Sequence, residues 1–446
     1  MASQEIMISG ARACSGSIQI SGAKNACLPL MAACLLTDQE VVLENVPKIS
    51  DIDLMKKQLG SYGVQTSEQR SRPVLQATRS QTRFSPANSD GSKTRGSFLV
   101  LGPLLARFGE AKVYKPGGCK IGGKKGRPVK YHIDALKQMG AATVEENSEY
   151  VFLMANQRLR GAEIEFPKIS VGATETVIMA ACLADGQTVI TNAAVEPEIV
   201  DLIEMLNKMG MNGNIRVDAS RNKIIINGRS DLLNGCTHAV IPDRIEAGTW
   251  AIAAAMTRGK LLLKMDPGTG KTIMVPVLQM LEKAGVSLQW RHDGLEVQRH
   301  GQINPVNVTT GPFPQFPTDL LPQWVTFMTQ ANGPSMLEDT IYDSRFNHVQ
   351  HLEQMGAKFT RFSGRKYQVH GNAKLRGTRV VATDLRAGAA LILAALVAEG
   401  TTVVKEFQHV PRGYENIKGK LGCWSVQFSN LPQARPGFHG GNGQRR

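Results

Sequence analysis

Apolar and polar positions along this chain fall into two alternating kinds of segment. One kind is apolar on nearly every side, as in VGATETVIMAACLA from Val171, IEAGTWAIAAAM from Ile245 and DLRAGAALILAALVAEG from Asp384. Such a segment predicts a helix enclosed by its own domain. The other kind is one-sided. Leu202, Met205, Leu206 and Met209 recur at i, i+3, i+4 and i+7 before Gly210, and His132, Ala135, Leu136 and Met139 do the same before Gly140. That spacing predicts amphipathic helices stopped by glycine. Short β-branched runs such as Lys223–Asn227 (KIIIN) lie between them and predict strands.

The alternation repeats. Six copies of about 70 residues each contain an apolar helix, a strand, a one-sided helix and further strands, with weaker copies starting near Ala23, Lys93 and Phe316. The unit mixes α and β with its first helix innermost, so three units per domain place central helices inside a wall of sheets and outer helices. Thr66–Thr94 has little apolar periodicity. The tail from about Val426, ending QARPGFHGGNGQRR, has a composition that predicts disorder.

Composition narrows the class. The 446 residues are 42% hydrophobic and 20% charged, ordinary for a soluble protein with two or three cores. No apolar run approaches the roughly 20 residues that span a bilayer. The N-terminus lacks a basic start followed by an apolar stretch, so no secretory signal is expected. Seven cysteines without CxxC pairs point to free thiols in a reducing compartment rather than to zinc or a disulfide framework. The reading is cytoplasmic. A formal charge of +14 suits either nucleic acid or small anionic ligands, but aromatics are 6% and no RNP-like, zinc-finger or helix-turn-helix pattern accompanies it.

The loop KPGGCKIGGKKGRPVKYH places Cys119 among Lys115, Lys120, Lys124, Lys125, Arg127 and Lys130. Nearby cations favour thiolate over thiol; read alone, the stretch is equally a solvated basic loop. DPGTGKT at Asp266–Thr272 has the look of a P-loop, but the Walker pattern needs glycine where Met265 stands.

A run of motifs carries a resemblance: ISGAKNA (Ile20–Ala26), LGPLLARFG (Leu101–Gly109), GGC (Gly117–Cys119), SVGAT (Ser170–Thr174), EPEIVD (Glu196–Asp201), PDRIEAGT (Pro242–Thr249), FPTD (Phe316–Asp319), RFNHV (Arg345–Val349), TDLRA (Thr383–Ala387) and RGYE (Arg412–Glu415). In these the chain resembles the enolpyruvyl transferase family from about Ile18 to Leu421. The resemblance implies an α/β (α+β) fold, a two-domain inside-out α/β barrel built from six βαβαββ repeats. One lobe would be 24–242, carrying the cysteine loop, and the second would be discontinuous, 1–23 with 243–425, leaving 426–446 as a basic tail.

It also implies a reaction: transfer of the enolpyruvyl group of phosphoenolpyruvate to the 3′-hydroxyl of UDP-N-acetylglucosamine with release of phosphate, at the start of peptidoglycan precursor synthesis and without metal or cofactor. Cys119 matches the family's loop cysteine, which forms an adduct with phosphoenolpyruvate, is assigned general-acid and product-release roles, and is the target of fosfomycin. Lys24, Arg127 and Arg412 match cations that bind the donor, and Arg95 matches a further pocket arginine. Asp319 matches the aspartate that takes the hydroxyl proton, although an aspartate ahead of a helix is ordinarily a cap. Asp384 and Arg386 match a pair lining the cleft, with a structural ion pair as the alternative. Asn25, Ser170, Val171, Gly172, Ile341 and Arg345 would contact the nucleotide sugar, with Val171 and Gly172 offering N–H groups to its diphosphate. Two departures stand out. GKKG lengthens the cysteine loop by about three residues over the family pattern, and Lys130 replaces an acidic residue at the uridine. They keep open a catalytically impaired relative with an anion-binding cleft; the net charge keeps open a nucleic-acid binder.

Overall fold

In this computed structural model the chain is described over residues 4–9, 13–69, 72–77, 95–115, 129–424 and 426. Its apolar side chains gather into two separate cores. One is built from residues between Ala23 and Val240; the other joins Ile6, Ile8, Ile18 and Ile20 to residues from Ile245 onward. Each core is threaded by three buried helices: Lys24–Ala33, Leu101–Phe108 and Val171–Ala181 in the first, Arg244–Met256, Leu321–Met328 and Leu385–Val397 in the second. These are the all-round apolar segments of the sequence. Burial is their only compatible environment, because exposing such a surface would forgo about 1.5–3 kcal/mol per large side chain.

The one-sided helices Ser50–Ser61, Lys130–Gln138, Pro197–Leu206, Val275–Lys283 and Val349–Gln354 lie outside, their apolar stripes turned inward. The helix that begins at Pro197 widens into a π-type turn over Asn207–Met211, where Gly210 takes φ 107° and ends it. Gly140 does the same after Gln138 at φ 103°. Six sheets of three or four strands complete the walls among the described residues. The third repeat shows the unit in full. Strand Glu163–Glu165, helix Val171–Ala181, strand Gln187–Thr191, helix Pro197–Leu206 and strands Ile215–Asp218 and Lys223–Asn227 follow in chain order, that is, βαβαββ. Strand Gln187–Thr191 sits centrally, parallel to Glu163–Glu165 and antiparallel to Lys223–Asn227. The fold is the inside-out α/β arrangement of six such units.

Three details depart from the periodic pattern. Residues 64–77, expected to be ill-defined at their Thr66 end, contain an antiparallel pair, Val64–Gln69 with Arg72–Ala77; the rest of that polar stretch, 78–94, lies outside the described residues, as do Cys119, Arg127 and the tail from 427. The sixth unit ends in a short helix, Ile417–Leu421, and a turn in which Trp424 is fully buried against Trp250, ring centroids 5.6 Å apart. Its sheet is completed by the N-terminal strand Ile6–Ser9 pairing antiparallel with Thr401–Lys405. The P-loop-like DPGTGKT forms the short helix Pro267–Ile273, with the Asp266 carboxylate accepting the Thr269 N–H at 2.7 Å in place of any phosphate.

The chain passes between the cores twice, side by side. Ala23 donates its N–H to Ile241 O at 2.8 Å and Asp243 donates to Ser21 O at 2.8 Å, with Gly22 bridging Pro242. A Cβ on Gly22 would lie 1.8 Å from the carbonyl oxygen of Asn45, a backbone atom that cannot swing aside. Gly22→Ala is expected to destabilise the protein by about 1–3 kcal/mol, the usual cost of overpacking, read as a lower urea midpoint at unchanged slope.

Candidate active site

Three of the buried helices begin at side-chain caps. Ser170 caps Val171–Ala181 by accepting the Ala173 N–H at 3.4 Å. Asp243 caps Arg244–Met256 with bonds of 2.8 and 3.1 Å from Ile245 and Glu246. Asp384 caps Leu385–Val397 with bonds of 2.8 and 3.1 Å from Arg386 and Ala387. Such N-termini carry partial positive charge and favour anions. Those at Val171 and Arg244, together with Asn25 and the turn Thr318–Leu320, border a cavity of about 440 Å³ between the two cores.

Asp319 stands at the edge of this cavity. Its carboxylate accepts from Arg386 Nη2 at 2.8 Å, from Asn25 Nδ2 at 3.2 Å and from Arg345 Nη2. Asn25 belongs to the first core's helix and both arginines to the second core's part of the chain, so this one carboxylate spans the cleft. Burial alone would disfavour the Arg386 cation. Asp319 outweighs it, leaving the guanidinium pKa raised. Arg345 also donates from Nε to Thr318 Oγ1 at 3.0 Å, and Thr318 donates to Asp339 Oδ2 at 2.6 Å. Asp339 in turn accepts the N–H groups of Ile341 and Tyr342 at 2.8 and 2.6 Å. This relay fixes the loop that presents Ile341 to the cavity.

Beside it lies a second charge cluster. Asp51, with a side chain 3% exposed, binds Lys24 Nζ at 3.2 Å through one oxygen and Arg412 Nε at 2.9 Å through the other. Burial pushes the Asp51 carboxyl up, but the two cations overcome this and hold it below the usual range. Burial also pulls Lys24 below its usual value, with Asp51 opposing and Arg386 and Arg412 reinforcing the fall.

Most of the residues expected from sequence meet here. Asn25, Ser170, Val171, Gly172, Asp319 and Ile341 line the cavity; Arg345 and Arg386 reach it through Asp319, while Lys24 and Arg412 share Asp51 outside the lining, with Lys24 in the field of Asp319 and Arg386. Asp384 acts through its carboxylate as a cap, bonded to the Arg386 backbone, while the Arg386 guanidinium turns to Asp319. The alternative of an Asp384–Arg386 side-chain ion pair therefore gives way to a cap and a separate Arg386–Asp319 pair. Of Arg95 the structure describes only the turn Arg95–Phe98. Lys130 extends outward, 78% exposed, and pairs with Asp134 at 2.6 Å, while its neighbour Tyr131 lines the cavity. Six of the cysteines are free. Burial pushes Cys14 up to about 11 and Cys34 and Cys182 up to about 12, so none of these three is an activated thiol.

Four participants were not singled out in the sequence. Asp51 reads as an ordinary first-turn acid of helix Ser50–Ser61. Glu196, Glu198 and Arg244 sit in motifs that carried the resemblance, yet nothing in their spacing assigns them a partner. The fold does: Arg244 grips both oxygens of Glu198, Nε to Oε1 at 3.0 Å and Nη2 to Oε2 at 3.2 Å.

Two cores, each threaded by three buried helices and facing a shared cavity, are the architecture of an enolpyruvyl transferase, and the chain belongs to the family described as EPSP synthase (3-phosphoshikimate 1-carboxyvinyltransferase), which matches residues 8–421. Within it, the chain is similar to the UDP-N-acetylglucosamine 1-carboxyvinyltransferase of Afipia carboxidovorans, 46% identical over 436 residues that cover 96% of this chain and 99% of the relative. The enzyme of the same name from Methylocella silvestris is 45% identical over 94% of this chain and 98% of its own. Among solved structures, the enolpyruvyl transferase NikO from Streptomyces tendae shares the fold with a TM-score of 0.85 at 22% identity, covering 97% of this chain and all (100%) of that one. An EPSP synthase from Acinetobacter baumannii shares it with a TM-score of 0.72 at 16% identity, over 96% and 100% of the two chains.

Proposed function

We propose that this protein transfers the enolpyruvyl group of phosphoenolpyruvate to the 3′-hydroxyl of UDP-N-acetylglucosamine, releasing phosphate and supplying a peptidoglycan precursor. One observation carries the reading: a carboxylate, Asp319, in the lining of a cavity of about 440 Å³, with Lys24 of the Lys24–Asp51–Arg412 cluster near enough to feel its charge. The donor carries a carboxylate and a phosphate. Lys24, Arg412 and Arg127 bind these anions, the arginines by the bidentate geometry that lysine lacks, and Asp51 yields part of its hold on Lys24 and Arg412 as the donor arrives. Asn25, Arg345 and Ile341 contact the nucleotide sugar, and the Val171–Gly172 N–H groups at the helix start bind its diphosphate. Arg95 and Asp384 frame the donor side, Asp384 by holding the Arg386 helix start.

The chemistry is addition followed by elimination. Asp319 takes the proton of the 3′-hydroxyl as its oxygen bonds to the substituted enol carbon, while Cys119 protonates the methylene carbon. The methyl group of the resulting tetrahedral adduct then returns a proton to the Cys119 thiolate as phosphate departs with the C–O bonding pair, which restores the C=C bond in the enolpyruvyl ether. Arg386 stabilises negative charge near the reacting centre. The lobes 24–242 and 1–23 with 243–425 close over the substrates about the double crossing at Gly22 and Pro242.

The test is phosphate release from phosphoenolpyruvate with UDP-N-acetylglucosamine or shikimate 3-phosphate as acceptor. Release is expected with the nucleotide sugar alone, and to vanish in Cys119→Ala and Asp319→Ala. Release with shikimate 3-phosphate instead, or none above the variants, would overturn the assignment; the latter with steeply salt-dependent DNA binding would favour the nucleic-acid reading. Fosfomycin is expected to add once, to Cys119, by intact mass and peptide mapping. An adduct on another cysteine would remove Cys119 from the donor pocket.

A further inference from the structure

Glu196 precedes helix Pro197–Leu206 in the wall of the cavity. It is only 8% exposed. Its Oε1 accepts the N–H of Phe313 at 3.3 Å, a bond from the first core to a loop of the second. Its Oε2 is buried and has no hydrogen-bond partner among the described residues. The contrast with Glu198, two residues on, is informative, since both of that carboxylate's oxygens are taken by Arg244. One acid of the pair is spent on structure. The other leaves an enclosed oxygen unpartnered in the wall of a cavity that also holds Asn25, Ser170 and Asp319. A desolvated oxygen left without a partner is costly, and native folds retain such atoms where a ligand completes them.

The chemistry of that oxygen selects the ligand group. Burial raises the Glu196 carboxyl pKa, with Arg244 opposing, so the group can serve as acid or carboxylate. A phosphate oxygen suits only the acid and an ammonium only the carboxylate. A hydroxyl suits both, because it donates as readily as it accepts. Resting on the acceptor assigned above, we propose that Glu196 binds a non-reacting hydroxyl of the acceptor sugar, and so determines which hydroxyl is delivered to Asp319. Glu196 is then a specificity residue that touches substrate and moves no proton in the reaction.

The experiment compares UDP-N-acetylglucosamine with its 4′-deoxy and 6′-deoxy analogues in wild type, Glu196→Ala and Glu196→Leu, the last keeping the side chain's bulk. Wild type is expected to lose about tenfold in kcat/KM on one analogue, the value of one good hydrogen bond. Both variants lose a similar factor on the natural acceptor and treat that analogue and the natural acceptor alike. Equal wild-type rates on all three acceptors would overturn the proposal, as would variants that keep the wild-type ratio, the outcome expected if Oε2 merely holds a water. Absence of wild-type turnover on the natural acceptor would instead reject the acceptor assignment and the inference with it. Turnover with unchanged ratios rejects the inference alone.

Discussion

Asp319→Asn is expected to lower kcat for phosphate release by about 10²–10⁴-fold, the usual contribution of a positioned general base. The amide keeps the shape and can still accept from Arg386, so the pocket stays assembled. What it loses is the capacity to take the hydroxyl proton. The same change removes the charge that two guanidiniums face, with side chains only 3% and 5% exposed. Leaving such cations uncompensated costs about 3–5 kcal/mol, so a urea midpoint well below wild type accompanies the kinetic loss. The two effects separate in a solution where the variant is fully folded by circular dichroism. A kcat there within a few-fold of wild type would assign Asp319 to architecture alone.

Asp51→Ala carries the second large effect. With the shared carboxylate gone, Lys24 and Arg412 lose the buried charge they hold in common, and stability falls by about 3 kcal/mol. The functional consequence has a definite sign. Burial and the neighbouring arginines already pull the Lys24 pKa down, and Asp51 resists most, with Asp319 adding less. Its removal lowers the pKa further, so Lys24 sheds its proton at a lower pH and the donor's anions lose a cation. The alkaline limb of kcat/KM for phosphoenolpyruvate therefore moves to lower pH. Above it the value falls about tenfold or more, as for one charge-assisted bond. A pH profile of this constant in the variant checks the claim; an unmoved alkaline limb would show that Lys24 does not depend on Asp51.

What sequence made legible follows from where the signal resides. Helices such as Arg244–Met256 and Leu385–Val397 carry their burial in composition, since a segment apolar on every side has no other stable place. Gly140 and Gly210 marked helix ends because left-handed backbone favours glycine. The motif residues Asn25, Asp319, Arg345 and Arg386 were readable as a set only through resemblance, and the fold brings them within hydrogen-bonding distance of one carboxylate. Asp51 and Glu196 were not legible. Their significance lies in partners far away in the chain, Arg412 for one and Phe313 for the other, and no local spacing encodes such a meeting. Asp384 shows the converse: its cap role was available from position alone, two residues before a helical arginine.

The placement of strand Ser15–Gln19 has a consequence for how the chain comes off the ribosome. Its parallel partner is Lys260–Lys264, and strand Ile6–Ser9 awaits Thr401–Lys405. At ordinary elongation speeds Ser15–Gln19 waits roughly 10–50 s for its neighbour, and Ile6–Ser9 roughly 20–80 s. The core bounded by Ala23 and Val240 can meanwhile consolidate, leaving two unsatisfied β-edges dangling from a finished half. Nascent chains of this protein thus carry a built-in interval of vulnerability to edge-to-edge aggregation, during which a holding chaperone has most to protect.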